Sequence, residues 1–210
     1  MPRRLLILGA GGHGRAVADL AGECGWEVVG FTDREAVSDG PGILGTDDEV
    51  FTLFGAGKFD GAVVGVGNTA LAKRAELFRL LRGWEINVPR LIHPRAVVSR
   101  SCRIGDGSVV FPGSVLGAGV EVGENVVIYS GVVAEHGCRI GDHAYLSPGV
   151  VLSGEVMVGE GAFLGAGAVV LPGLAIGAWA TVAAGAVVTT AIQPGETVMG
   201  IPARPKVRVV

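Results

Sequence analysis

Residues Val115 to Val150 read VLGAGVEVGENVVIYSGVVAEHGCRIGDHAYLSPGV, which divides without remainder into VLGAGV, EVGENV, VIYSGV, VAEHGC, RIGDHA and YLSPGV. Extended both ways, the sixfold beat covers 17 consecutive hexads from Leu91 to Ile192. The second place is Ile, Leu or Val in 16 of them, the exception being Ala134 in the hexad that also carries His136. The sixth place is mostly small. One aliphatic per hexad pointing inward, a small residue at an inner corner and Gly, Asn or Asp at tight turns predict a parallel β-helix. Three strands close each coil, so 18 residues make one coil.

Composition agrees. Glycine is 36 of 210 residues, well above the usual share of roughly 7%. Disorder does not fit a chain that is 49% hydrophobic, and glycine does not recur every third residue as collagen requires. The net charge of −3 provides no field for nucleic acid or an anionic membrane, and no apolar run is long enough to span one. Cys24, Cys102 and Cys138 form no CxxC pair, which predicts reduced thiols and a cytoplasmic protein.

Residues 1–90 follow another grammar and are expected to form a separate α/β domain, with 91–210 as the β-helix and its tail. RLLILGA is a buried parallel strand running into a glycine turn. Arg15–Cys24 reads as a helix, WEVVGFTD as a second strand and AVVGVGN (Ala62–Asn68) as a third. TALAKRAELFRLLR has helical spacing at Leu71, Ala75, Phe78 and Leu81. Gly9, Gly11 and Gly14 spell GxGxxG between strand and helix, with Asp33 ending the second strand. That is the grammar of a nucleotide site, because glycines allow close approach and a helix start attracts phosphate. It does not say which nucleotide, and about 90 residues hold too few strands for a full dinucleotide fold.

Taken together, GAGGHGR, the strand-ending TD, GVGN, LIHPRAVVS and EHGCRIGDH resemble the nucleotide-sugar N-acetyltransferases of the hexapeptide-repeat acyltransferases. Bacillosamine and perosamine acetyltransferases are examples, and sialic-acid O-acetyltransferases are close relatives. The resemblance implies a Rossmann-like α/β domain followed by a left-handed parallel β-helix. It also implies a homotrimer with sites between prisms, acetyl-CoA as acyl donor, and a nucleotide sugar as acceptor. In the N-terminal unit it implies acceptor contacts at Gly11, Gly12, His13, Asp33 and Asn68; for His13 a helix-start residue packed on its own loop is the equal alternative. In the β-helix it implies His136 as general base. The fourth place of a hexad lies outside the inward second and sixth places, so a ligand can reach it. The pattern departs at Gly137, where the family commonly has an acidic residue. The orienting role then falls to Glu135, to Asp142, or to a backbone carbonyl or water.

Cofactor contacts carry to Tyr145, Gly154, Ala166 and Ala184, with Arg204 and Lys206 of GIPARPK near the phosphates. His143 is a zinc ligand, a cofactor contact or, the favoured reading, a solvent-facing turn residue. A zinc site needs three or four convergent ligands and only His136 and His143 stand in the region, so no metal is expected. Cys138 follows a histidine by two but occupies the small sixth slot, so a buried thiol is favoured over a nucleophile. His93, before Pro94, reads as a hinge residue. Transfer to an amine is the leading expectation; transfer to a sugar hydroxyl and a non-catalytic trimeric scaffold are the alternatives.

Overall fold

A computed structural model describes residues 2–34 and 42–206. The chain divides into two compact units, Met1–Pro94 and Arg95–Val210.

The N-terminal unit is built on strands β1 (Arg3–Leu8), β2 (Trp26–Asp33), β3 (Ile43–Thr46) and β4 (Gly61–Val64), all parallel, in the order β3-β2-β1-β4. Helix α1 (Gly12–Glu23) connects β1 to β2, α2 (Val50–Gly55) connects β3 to β4, and α3 (Leu71–Gly83) follows β4. Leu5, Leu6, Ile7 and Leu8 are fully buried, as a continuous apolar run in a parallel strand should be. Helix α1 starts at Gly12 rather than Arg15, because the glycine turn passes straight into helical backbone. Strand β4 stops at Val64, short of the expected Asn68. A Cβ at Gly65 would lie 2.6 Å from Ile7 Cγ2 and 2.8 Å from Gly14 Cα, so the chain leaves the sheet there by passing against β1 and α1. Strand β3 and helix α2 are additions to the sequence reading.

The C-terminal unit is a three-faced prism. Face one carries the strands beginning at Val97, Val115, Val133, Val151, Val169 and Val187. Face two carries those at Arg103, Glu121, Arg139, Met157 and Ala175, and face three those at Val109, Val127, Tyr145, Phe163 and Thr181. Partners lie one coil apart, as in Val127↔Tyr145 and Ile128↔Leu146. The second places form the core; Leu116, Ile128, Leu146, Leu152 and Leu164 are essentially inaccessible, and each such side chain contributes about 1.5–3 kcal/mol through burial. Ala134 also points inward, paired between Leu116 and Leu152.

The hexad register holds to Val188 and then shifts, correcting the expected seventeenth hexad. Ile192 bridges Ile176, and Thr181 pairs with Thr197, so this last coil is two residues short. VVTTAI has no glycine at its fifth place. The corner is cut short, and AIQPGE, with Gly195 at φ 71°, becomes the last hexad. Thr197–Met199 then pairs antiparallel with Arg204–Pro205. Among the described residues, no helix is long and apolar enough to cross a membrane.

Candidate active site

In the N-terminal unit the strand order changes direction between β1 and β4, and in open α/β sheets ligands bind beyond the carboxyl ends of the strands at such a point. Residues 9–12 and 65–68 follow those two ends. Gly9, at φ 109°, donates its N–H to Thr32 O at 2.7 Å. A Cβ at Gly14 would overlap Gly9 O, whereas a Cβ at Gly11 or Gly12 would meet nothing within 4 Å, and both of these glycines are exposed. The outer two fingerprint glycines therefore close the turn, and the exposed pair leaves backbone open to a ligand. Asn68 is also exposed, at the start of a short 3-10 turn.

Asp33 holds this loop. Its Oδ2 accepts the Ala10 N–H at 2.9 Å and its Oδ1 the Arg34 N–H at 2.7 Å. His13 is buried beside Gly67, whose Cβ would lie 3.4 Å from His13 Cβ. Arg74 of α3, fully buried, donates from Nη1 to Val64 O at 2.7 Å and Val66 O at 3.3 Å. It braces the chain on both sides of Gly65. Burial, reinforced by the Arg74 charge, lowers the His13 pKa to about 3. The imidazole is neutral in the folded protein and packs against the facing loop at Gly67 rather than on its own loop. Arg74 gave no sequence signal, because apolar spacing does not register a buried guanidinium.

The His13 shift has a consequence for acid stability. Below pH 6.5 the unfolded chain binds a proton that the folded state refuses until about pH 3. Stability is full above that window and falls as pH drops through it. At pH 5 the linked loss is about 2 kcal/mol. His13→Gln should flatten this part of the curve in denaturant titrations between pH 7 and pH 4; an unchanged slope would contradict the assignment.

In the prism, His136 occupies the corner between faces one and two, and both it and Glu135 are exposed. The neighbouring coils offer Ala118 on one side and Gly154 on the other. The ring lies against Gly154, where a Cβ would come within 2.6 Å of both Cε1 and Nε2. Backbone bonds fix the corner, with Gly137 N–H donating to Ala118 O at 2.9 Å and Glu155 N–H to His136 O at 2.8 Å. Among the described residues no side chain hydrogen-bonds the imidazole. Asp142 stands at the next corner, where its Oδ1 accepts the Glu124 N–H at 2.8 Å, which removes it as an orienting group within the chain.

Three other residues find definite places. Cys138 is fully buried, donates to Ser153 O at 3.1 Å, and has its thiol pKa raised by burial; it is the buried thiol expected of a sixth place. His143 is not solvent-facing, which corrects the favoured reading. It is 6% exposed, adopts φ 61°, and its Nδ1 pairs with Asn125 Nδ2 at 3.0 Å. Asn125 tolerates the left-handed turn well, and the buried pair ties two successive turns together. No group of three or more metal-ligating side chains occurs among the described residues.

Tyr145 belongs to an aromatic row on face three. Phe111 and Tyr129 stack at 4.5 Å, and Tyr145 lies 5.7 Å from Tyr129 and 5.8 Å from Phe163. Tyr145 itself is buried. The row was invisible to the repeat because it joins third places of two hexads to first places of two later ones. Ala166 and Ala184 are exposed on the corner between faces three and one. Gly154 and His136 sit on the other edge of face one, so a single chain does not bring the two sets together. Arg204 and Lys206 are exposed near the end of the described chain.

A prism of hexapeptide coils with an exposed corner histidine, following a glycine-loop α/β unit, defines a left-handed β-helix acyltransferase. The PglD N-terminal domain family matches residues 4–79, and the bacterial transferase hexapeptide family matches 101–135, 119–154 and 155–190. PerB from Caulobacter crescentus, solved in complex with CoA and GDP-perosamine, is 35% identical over 97% of each chain, with a TM-score of 0.91. The acetyltransferase domain of PglB from Neisseria gonorrhoeae, in complex with acetyl coenzyme A, is 32% identical over 98% of this chain and 100% of its own, with a TM-score of 0.88. WeeI from Acinetobacter baumannii is 25% identical over 96% and 99%, with a TM-score of 0.83. Among curated proteins there is no match. The chain belongs to the perosamine- and bacillosamine-type N-acetyltransferases of the hexapeptide-repeat superfamily.

Proposed function

We propose that the protein transfers acetyl from acetyl-CoA to the amine of a nucleotide-linked amino sugar. The observation that carries the reading is the His136 ring, exposed on a rigid corner and seated on a glycine that leaves it room. The likeness of nearly the whole chain to an enzyme solved with CoA and GDP-perosamine supports it. His136 accepts the proton of the amine as its nitrogen attacks the thioester carbonyl. The new C–N bond forms, the C–S bond breaks, and the CoA thiolate leaves and is protonated. A histidine suits this step because its ordinary pKa is near neutrality. The buried Cys138 favours direct transfer over an acyl-enzyme. Glu135, exposed on the same corner, is the neighbouring carboxylate.

The acceptor's nucleotide binds over Gly11 and Gly12, with Asn68 on the facing loop and Asp33 and His13 holding the loop from below. Acetyl-CoA lies along the edges of face one, past Gly154 on one prism and Ala166 and Ala184 on another, with Arg204 and Lys206 as further contacts; Tyr145, buried in the aromatic row of face three, lies off that path. That arrangement needs more than one prism. Face one supports it with its row of first-place valines, of which Val97 is 64% and Val115 36% exposed, and a homotrimer is the assembly proposed. Free thiols at all three cysteines agree with a reducing, cytoplasmic setting.

Incubation with acetyl-CoA and a panel of UDP-, GDP- and dTDP-amino sugars should release CoA thiol with an amino sugar, from a particle three times the 21.3 kDa chain mass by light scattering. Release only with hydroxyl acceptors would replace this reading by O-acetylation. Silence with every acceptor, or a monomer that turns over at full rate, would remove the respective part of the proposal.

A further inference from the structure

Four consecutive coils turn the corner between faces one and two at Gly119, Gly137, Glu155 and Gly173. Their φ angles are 69°, 69°, 61° and 69°. Left-handed backbone is nearly free for glycine and costly for a residue with a long side chain. Glu155 is thus a side chain placed where its neighbours above and below are glycine. The other prism residues with positive φ that are not glycine have packing that accounts for them. Asn125 and His143 pair with each other, and the Trp179 ring lies on Gly161. Among the described residues the exposed Glu155 carboxylate makes no hydrogen bond or ion pair.

Its position gives it a use. Glu155 directly follows Gly154, the residue against which the His136 ring lies, and its N–H holds the His136 carbonyl. A Cβ at Gly137 would come 3.4 Å from Glu155 Cγ, so glycine after the histidine leaves space for the Glu155 stem to lie back toward His136. We propose that Glu155 is the positioning carboxylate of the His136 base, a role that rests on His136 taking the amine proton. It orients the imidazole and stabilises the imidazolium formed when the proton arrives, and the strained turn is retained because the carboxylate is needed at that point. The other charged groups around the ring are Glu135 on the strand entering the corner and Arg139 on the strand leaving it. The preceding coil presents Ala118 and Gly119 at the corner itself and, beside it, Glu121, which lies 3.9 Å from Arg139 Nε.

The test compares Glu155→Gly, Glu155→Gln, Glu135→Gln and His136→Asn in the full-length protein. Glu155→Gly relieves the strained φ and should raise Tm by about 2 °C. It should also lower kcat about tenfold, part of the roughly 10²–10⁴ that a general base supplies, with KM for both substrates within twofold. Glu155→Gln should show the same kinetic changes without the gain in Tm. Wild-type kcat in both Glu155 variants would overturn the proposal while leaving the base assignment intact if His136→Asn is inactive. Loss confined to Glu135→Gln would transfer the role to Glu135. An active His136→Asn variant would overturn the underlying reading itself.

Discussion

His136→Asn should lower kcat by about 10²–10⁴, the span a positioned general base contributes, while acetyl-CoA and the nucleotide sugar bind within about twofold of wild type. Asparagine keeps a polar group of similar reach on the corner but accepts no proton near neutral pH. The corner itself does not depend on the ring. It is held by main-chain bonds from Gly137 to Ala118 and from Glu155 to His136, and the side chain is exposed. Loss of turnover therefore comes without loss of fold, and thermal melting should be nearly superimposable. The deficit should also narrow as pH rises, because a larger share of the acceptor is then already free amine and needs less help. Single-turnover thiol release and calorimetric binding measure the two effects separately. Turnover within tenfold of wild type across the pH range would assign the proton to some other group.

How much of this was legible in advance depends on whether a feature obeys the repeat. The prism was, because its second-place aliphatics recur every six residues and their partners in space lie one coil away in sequence. The exposed corner position of His136 was legible for the opposite reason: its hexad gives up the large inward residue at Ala134 and sets an imidazole between Ala118 and Gly154 of the neighbouring coils. The truncation after Val188 was not, since VVTTAI still satisfies the second-place rule while lacking the turn glycine that a full corner needs. His143 was misread because a fifth-place residue at a left-handed turn is ordinarily exposed, and only the coil below, with Asn125, encloses it. Glu155 gave no warning at all. Glu at a turn is unremarkable in a sequence, and its significance lies in a φ of 61° and in the coil it stacks upon. In the α/β unit the glycine fingerprint was legible and its division of labour was not. Asp33 turns both carboxylate oxygens toward main-chain N–H groups at the base of the loop, so its first role is to hold that loop.

That division of labour leads to the second large effect, at Gly14. Gly14→Ala places a methyl into the Gly9 carbonyl oxygen, and Gly9 is poorly able to yield. Its N–H is bonded to Thr32 at 2.7 Å, its φ of 109° is open only to glycine, and Gly65, just after β4, is so close that a Cβ there would lie 2.9 Å from the same oxygen. Overpacking against fixed backbone costs about 3 kcal/mol, and the strain falls on the loop that presents Gly11 and Gly12. The N-terminal unit should melt well below wild type, and KM for the nucleotide sugar should rise at least about tenfold, the equivalent of about 1.4 kcal/mol. Acetyl-CoA binding should be unchanged, because Gly154, Ala166 and Ala184 belong to the other unit. Gly22→Ala in the last turn of the same helix is the control: nothing lies within 4 Å of its Cβ position, and replacing a helical glycine by alanine stabilises by up to about 1 kcal/mol. Opposite signs from one chemical change, eight residues apart in α1, would show that the crossing of α1 over the β1 turn is what shapes the acceptor loop. Equal, small effects from both would mean that the loop keeps its form without that contact, and the nucleotide site would have to be sought away from it.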